Sequence, residues 1–307
     1  MTRRPVDLLE KYHALELNTD KFDFQWRARL LQSVWREEQG LDAGEYRGKL
    51  RGARLVMPQA KNTLANYLTP TIRDVVRKEV DDPIQAKGKL YGRPRIYNNL
   101  LSSQPLCFNL FGELSLDLDL ATSVLCDITE GRILRVTAID FEYSPGRGDD
   151  RYTGDRSAFD VYVRYTTPSE GKGFVGIEVK YHEGLADPVA DHRARYDEVA
   201  SMMGCFMPQH LPKLRERPLQ QVWRDHLLAG AHKQVDGFED GFFAFLYPAG
   251  NTACSDAVDQ YKKCLSSSDS FQEWTLESLV DRLMIHSSAS WIRELNRRYL
   301  DFSRLPL

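Results

Sequence analysis

A chain of 307 residues, 42% apolar and 28% charged, has the composition of an ordinary globular protein and ample length to bury a core. Its net charge of −3 excludes a surface uniformly coated for nucleic acid, and no apolar run approaches the roughly 20 residues that span a bilayer. Five scattered cysteines without a CxxC pair, seven histidines without HExxH spacing, and no Gly-Lys-Ser/Thr loop leave zinc sites, disulfide frameworks and ATP hydrolysis without support. A reducing cytoplasm fits this cysteine usage.

Residues 1–21 read as a lead-in with a short helix around Leu8 to Leu15 and no apolar stretch of the kind a secretory signal needs. Asp23 to Glu38 reads as an amphipathic helix with Trp26, Leu30 and Val34 on one stripe, stopped by Gly40. From Arg47 to Arg95 there are twelve Lys/Arg against four Asp/Glu, a basic stretch on an otherwise acidic body. Such a segment suits docking on phosphate, although a solvated helix-and-loop surface has the same composition. Pro70 to Val80 is expected to be helical within it, entered through Thr69 and ended by Pro83. Residues 1–95 are thus expected to form a helical, basic N-terminal region.

Apolar positions from Cys107 to Leu125 keep helical spacing across Ser103 to Asp127, and Ile133 to Tyr143 reads as a first strand. A Gly-rich loop follows, from Ser144 to Gly154. Val189 to Met203 and Pro218 to Gln234 are expected helices; on the second, Gln221 and Arg224 share a face at i, i+3 and suit contact with a nucleic-acid backbone. Gly241 to Pro248 is continuously apolar, as a buried strand is. Residues 96–250 would form the core and residues 251–307 a helical extension, with Thr275 capping one of its helices.

The chemistry lies between the first strand and these helices. Phe159–Tyr165 and Phe174–Lys180 are rich in β-branched and aromatic residues, and the gap between them holds Pro168, Ser169, Gly171 and Gly173, the pattern of two strands and a turn. If the turn sets Thr166 opposite Phe174, Asp160 faces Lys180 directly and Glu178 diagonally. Acid-x-Lys occurs twice in the chain, but Glu170-Gly171-Lys172 lies among turn residues that fix no direction. Asp160, Glu178 and the Val179 carbonyl offer the oxygen-rich partial shell that a hard ion such as Mg²⁺ takes alongside water and phosphate. Lys180 beside them is a cation able to hold an attacking water or offset charge on a phosphorane-like transition state.

Asp160, then Glu178-Val179-Lys180 eighteen residues on, resembles the PD-(D/E)xK, or restriction-endonuclease-like, nuclease superfamily. The words Ser103–Phe111, Gly154–Asp160, Ile177–Tyr181 and Gln221–His226 are similar to a bacterial group labelled as candidate restriction endonucleases, and this narrower likeness runs through most of the chain. The Pro of the superfamily name is Phe159 here, and only the Asp is needed chemically.

The resemblance implies an α/β fold, a mixed sheet of four or more strands flanked by helices. It also implies an endonuclease that uses Mg²⁺, with Mn²⁺ as substitute, and leaves a 5′-phosphate on DNA, in a setting such as restriction or phage defence. Asp160, Glu178 and Lys180 would be catalytic. In the superfamily an acid from the helix before the sheet often joins the metal site, which points to Glu113 as a third ligand beside Asp160 and Glu178, a surface acid on a helix being the alternative. Read from the residues themselves, Arg156, Gln221 and Arg224 are the candidates for contact with nucleic acid, the alternative for Arg156 being that it caps its loop. Double-stranded DNA is the expected partner, and enzymes that cut both strands often pair two copies, so a homodimer is a further expectation. A non-catalytic nucleic-acid-binding module and an RNA-cleaving nuclease are the alternatives.

Overall fold

The computed structural model describes residues 4–16 and 18–307; Met1–Arg3, part of the expected lead-in, lie outside them. A short helix α1 (Val6–Lys11) precedes α2 (Asp23–Glu38), which buries Trp26, Leu30 and Val34 as their spacing predicts. Next comes a hairpin that the sequence reading did not foresee, β1 (Ala43–Tyr46) and β2 (Lys49–Leu55), paired antiparallel. Its turn is Arg47-Gly48 with both residues at positive φ, 52° and 70°. That geometry normally recruits Asn-Gly or Asp-Gly, so the turn carried no strong signal. Two short helices, α3 (Gln59–Thr63) and α4 (Pro70–Val76), follow. The Thr69 hydroxyl caps α4 by accepting the Ile72 N–H at 3.0 Å. α5 (Arg95–Asn98) leads into the core.

The long helix expected from Ser103 to Asp127 is two helices, α6 (Ser103–Phe111) and α7 (Leu118–Ile128). A turn from Gly112 to Asp117 separates them, and the Asp117 carboxylate restarts the helix by accepting the Leu120 N–H at 3.0 Å. The apolar spacing continues across the break because both helices cover the same core, with Cys107, Leu110, Ala121 and Leu125 all buried.

Five strands form the central sheet: β3 (Arg135–Tyr143), β4 (Phe159–Thr166), β5 (Lys172–Val179), then β6 (Asp240–Tyr247) and β7 (Phe271–Thr275). They lie side by side in that order, β3, β4 and β5 antiparallel and β5, β6 and β7 parallel. This is the mixed, helix-flanked sheet expected from the sequence, with β7 as an additional edge strand beyond the predicted four. Thr275 ends β7 and caps the helix that follows, accepting the Ser278 N–H at 3.1 Å. The register of the central pair differs from the expected one. Thr166 lies opposite Lys172, not Phe174, because the turn is only Thr167–Gly171 and Lys172-Gly173 already belongs to β5.

Between β5 and β6 the chain forms α8 (Ala194–Met203), α9 (Leu211–Leu214) and α10 (Gln220–Val235); after β6 come α11 (Thr252–Lys262), α12 (Leu276–His286) and α13 (Ser290–Tyr299). Alternation along the strands splits the core in two. Val161, Val163, Ile177, Val179 and Leu246 pack with residues of α4, α6, α7, α12 and α13. Tyr162, Phe174, Phe243 and Phe245 pack with α8, α10 and α11 on the other face. Residues from the three expected regions share the first of these cores, with Phe24, Phe108 and Tyr299 in one cluster.

Candidate active site

Because Ile177 and Val179 enter the first core, Glu178 between them faces α10. It is 7% exposed and Lys180 8%, so neither charge lies on an open strand face. The pairing of β4 with β5 runs up to Val161 opposite Ile177, and Asp160 and Glu178 are the next residues on each strand. There the ladder gives way to a side chain: the Val179 N–H donates to Asp160 Oδ2 at 2.9 Å. Lys180 Nζ donates to Glu178 Oε1 at 2.6 Å, and Gln221 Nε2, from α10, donates to the same oxygen at 2.7 Å.

Burial pushes the Asp160 carboxyl up, and the charge of Glu178 adds to the rise, against the pull of Lys180 and the Val179 N–H. Burial works against the Lys180 ammonium, but Glu178 and Asp160 outweigh it and hold the amine protonated. Beside them a cavity of about 300 Å³ is lined by Ser157, Glu178, Gln221, Arg224 and Asp225 among others. Asp225 is 6% exposed, and its Oδ2 is buried with no hydrogen-bond partner among the described residues. Its carboxyl too is pushed up, first by burial and then by Glu178.

Paired acids and a lysine at the ends of two adjacent strands form the constellation named by one family. A sequence model described as the PD-(D/E)XK nuclease superfamily matches residues 18–301. The chain belongs to that superfamily. Comparisons with curated proteins and with solved structures give no significant match.

PD-(D/E)XK nucleases generally use divalent metals, and the residues present suit one. Among the described residues no three His, Cys, Asp or Glu side chains form a ready-made metal cage. Two neighbouring carboxylates, Asp160 and the cavity-lining Glu178, are nevertheless the donor set of a hard ion that retains waters and takes a phosphate oxygen. Burial and the charge of Glu178 penalise ionised Asp160 and Asp225, and among the described residues the buried Asp225 Oδ2 has no hydrogen-bond partner, so a bound cation would offset both costs.

Of the remaining sequence candidates, the structure brings only Gln221 into contact with the central group. Glu113 stands in the turn after α6, where its carboxylate accepts the Thr69 hydroxyl that caps α4. The break after Phe111 takes it off the helix face that the sequence reading assumed. Arg224 lines the cavity but is bound to Asp155, with Nη2–Oδ2 at 2.6 Å and Nε–Oδ2 at 2.9 Å. Asp155 also accepts from Tyr196 Oη at 2.7 Å and the Ser157 N–H at 2.9 Å. Although burial opposes it, Arg224 and these donors hold its carboxyl below the usual range. Arg224 therefore braces the loop that delivers Asp160. Arg156 is exposed on that loop, and its carbonyl accepts Arg147 Nη1 at 2.9 Å.

Asp155 and Asp225 were not recognised from sequence as site residues. Asp225 lies one turn beyond Gln221 on α10, so the i, i+4 spacing from a site amide was the available signal. For Asp155 it was the Asp-x-Ser pattern of a carboxylate that accepts a backbone N–H two residues on.

Proposed function

We propose that this chain is a metal-dependent endonuclease that hydrolyses DNA phosphodiester bonds. The observation that carries the reading is the convergence of Asp160, Glu178 and Lys180 on the ends of β4 and β5, with Glu178 on the wall of a cavity. Asp160 and Glu178 would hold Mg²⁺, with Mn²⁺ as a substitute. When bound, such an ion polarises the phosphoryl oxygen and lowers the pKa of an attacking water.

The protein groups do the remaining work. The Val179 N–H fixes one Asp160 oxygen, and Gln221 and Lys180 together fix one Glu178 oxygen, which leaves the opposite oxygens for the ion. Lys180, protonated in the pair, orients water for in-line attack and offsets the negative charge that grows on the phosphoryl oxygens. Water adds to phosphorus, the bond from phosphorus to the 3′ oxygen breaks, and the products are a 5′-phosphate and a 3′-hydroxyl.

The test is incubation of the purified protein with supercoiled plasmid, linear duplex, single-stranded DNA and RNA in Mg²⁺, Mn²⁺ or EDTA. Cutting of DNA that needs the metal is the expected result. Cutting confined to RNA would change the substrate, and binding without any cutting would make the chain a nucleic-acid-binding module.

A further inference from the structure

The chemistry above uses the acidic ends of β4 and β5 and leaves the basic stretch from Arg47 to Arg95 without a task. The fold gathers part of that stretch onto one surface. Tyr46, at the tip of the β1–β2 hairpin, is 43% exposed, and two guanidiniums lie against its ring, Arg54 at 4.2 Å and Arg47 at 5.2 Å from its centre. Lys49 is directly across the ladder from Tyr46, and Glu45 is the only acid between Ala43 and Leu55.

Other arginines nearby are paired with carboxylates. Arg29 is bound to Asp20 at 2.7 Å, and Arg51 is paired with Glu16. Arg54 differs. It is half-buried, and its one hydrogen bond among the described residues is from Nη1 to the neutral Asn98 Oδ1 at 3.4 Å. Burial lowers its pKa, Tyr46 opposes the fall, and the neighbouring Arg29 and Arg51 add to it, while no carboxylate among the described residues pairs with Arg54. Lys61, against the Tyr97 ring at 5.5 Å, and exposed Arg95 flank the base of the hairpin, likewise with no carboxylate paired to them among the described residues.

The hairpin is tied to the site through a short stretch of chain. Arg54 bridges to Asn99, and Leu100 N–H donates to the Ala53 carbonyl at 3.0 Å. Ser103 N–H then donates to Glu183 Oε1 at 2.8 Å, three residues beyond Lys180. The four steps of chain from Asn99 to Ser103 span at most about 14 Å, a length of only a few base steps of a duplex.

We infer that the β1–β2 hairpin, through Arg47, Lys49 and Arg54 around Tyr46 with Lys61 and Arg95 at its base, binds the phosphodiester backbone of nucleic acid beyond the scissile bond. This rests on the nuclease reading and adds to it where the substrate runs. A guanidinium forks onto phosphate oxygens, and an exposed tyrosine ring accepts a sugar or an unstacked base.

The test is fluorescence anisotropy with a labelled DNA duplex in Mg²⁺ over a range of salt concentrations, on an Asp160→Asn background that prevents cutting. Replacing Arg47, Lys49 and Arg54 by Gln is expected to weaken binding at least tenfold. It should also flatten the plot of log affinity against log salt by about two to three, since each lost phosphate contact contributes about 0.9. Lys172→Gln, elsewhere on the surface, is expected to change neither. The exposed pair Arg47→Gln/Lys49→Gln avoids the half-buried position and should flatten the plot by about two. If the background protein binds duplex and these variants bind it with the same affinity and slope, the inference is overturned while the nuclease reading stands. If the unmodified protein neither binds nor cuts DNA or RNA, both fall together.

Discussion

Gln221 Nε2 meets Glu178 Oε1 at 2.7 Å, so an amide on α10 holds a carboxylate on β5 from across the cavity. With Lys180 on the same oxygen, Glu178 has one side fixed and the other free to ligate. Gln221→Ala should therefore act on ion binding more than on folding. The loss of a partner that orients a ligand typically costs about 10–100-fold in metal affinity or activity. Titrating the cleavage rate with Mg²⁺ should show a rise of that size in the metal needed for half-maximal rate. An unchanged titration would mean that the amide does not position Glu178.

Asp155 gathers Arg224, Tyr196 and the Ser157 N–H into one buried knot. Asp155→Ala removes the acceptor from all three and leaves a guanidinium that is only 20% exposed without its anion. Breaking such a pair costs about 3 kcal/mol. Urea unfolding should report a loss of that order, and a loss below about 1 kcal/mol would show that water replaces the carboxylate readily.

Asp225 predicts a change of the opposite sign. Its Oδ2 is buried with no partner among the described residues, and burial and then the charge of Glu178 work against its ionised form. Asp225→Asn keeps the shape and removes the charge, so the thermal midpoint measured without metal should rise, by an amount equivalent to about 1–2 kcal/mol. A fall would reveal a partner for the carboxylate that the structure does not show.

The sequence made the central site legible because strand alternation fixes a face, and the apolar neighbours of Glu178 settle which face it takes. Asp160, Glu178 and Lys180 need no exact register to come together: the observed register is two residues from the expected one and sets Asp160 level with Glu178 rather than Lys180, yet the three remain neighbours. The offset arose from Gly171 and Gly173, either of which can close a turn; only the fold shows that Lys172-Gly173 joins the strand. Glu113 is a candidate through the resemblance alone, and the apolar spacing that puts it on one long helix does not report a break when both halves cover the same core. β7 was hidden for a related reason. Its five residues lie between a serine-rich connector and a strong cap at Thr275, too short to show a period of two.

Acid should expose a buried histidine. His226 is fully buried, its Nδ1 2.8 Å from Tyr261 Oη and its Nε2 2.8 Å from Ser270 Oγ, and burial pushes its pKa down from 6.5 to about 3. The unfolded chain takes up the proton first, so this group's contribution to stability is complete above pH 6.5 and is lost as the pH falls towards 3. The loss approaches about 1.4 kcal/mol per pH unit within that window. His226→Gln should be less stable than the unmodified protein at pH 7, and the gap should narrow towards pH 4. A gap that stays constant with pH would mean that the imidazole titrates normally in the fold.

The most direct test of the central claim is the single-turnover rate of DNA cleavage in Mg²⁺ for the unmodified protein, Asp160→Asn and Lys180→Gln, with duplex binding measured in parallel. Metal-dependent cutting by the unmodified protein, a loss of at least a hundredfold in each variant and retained binding by both are the predicted result. Cutting by either variant at the unmodified rate would contradict the assignment of Asp160, Glu178 and Lys180 as the catalytic group.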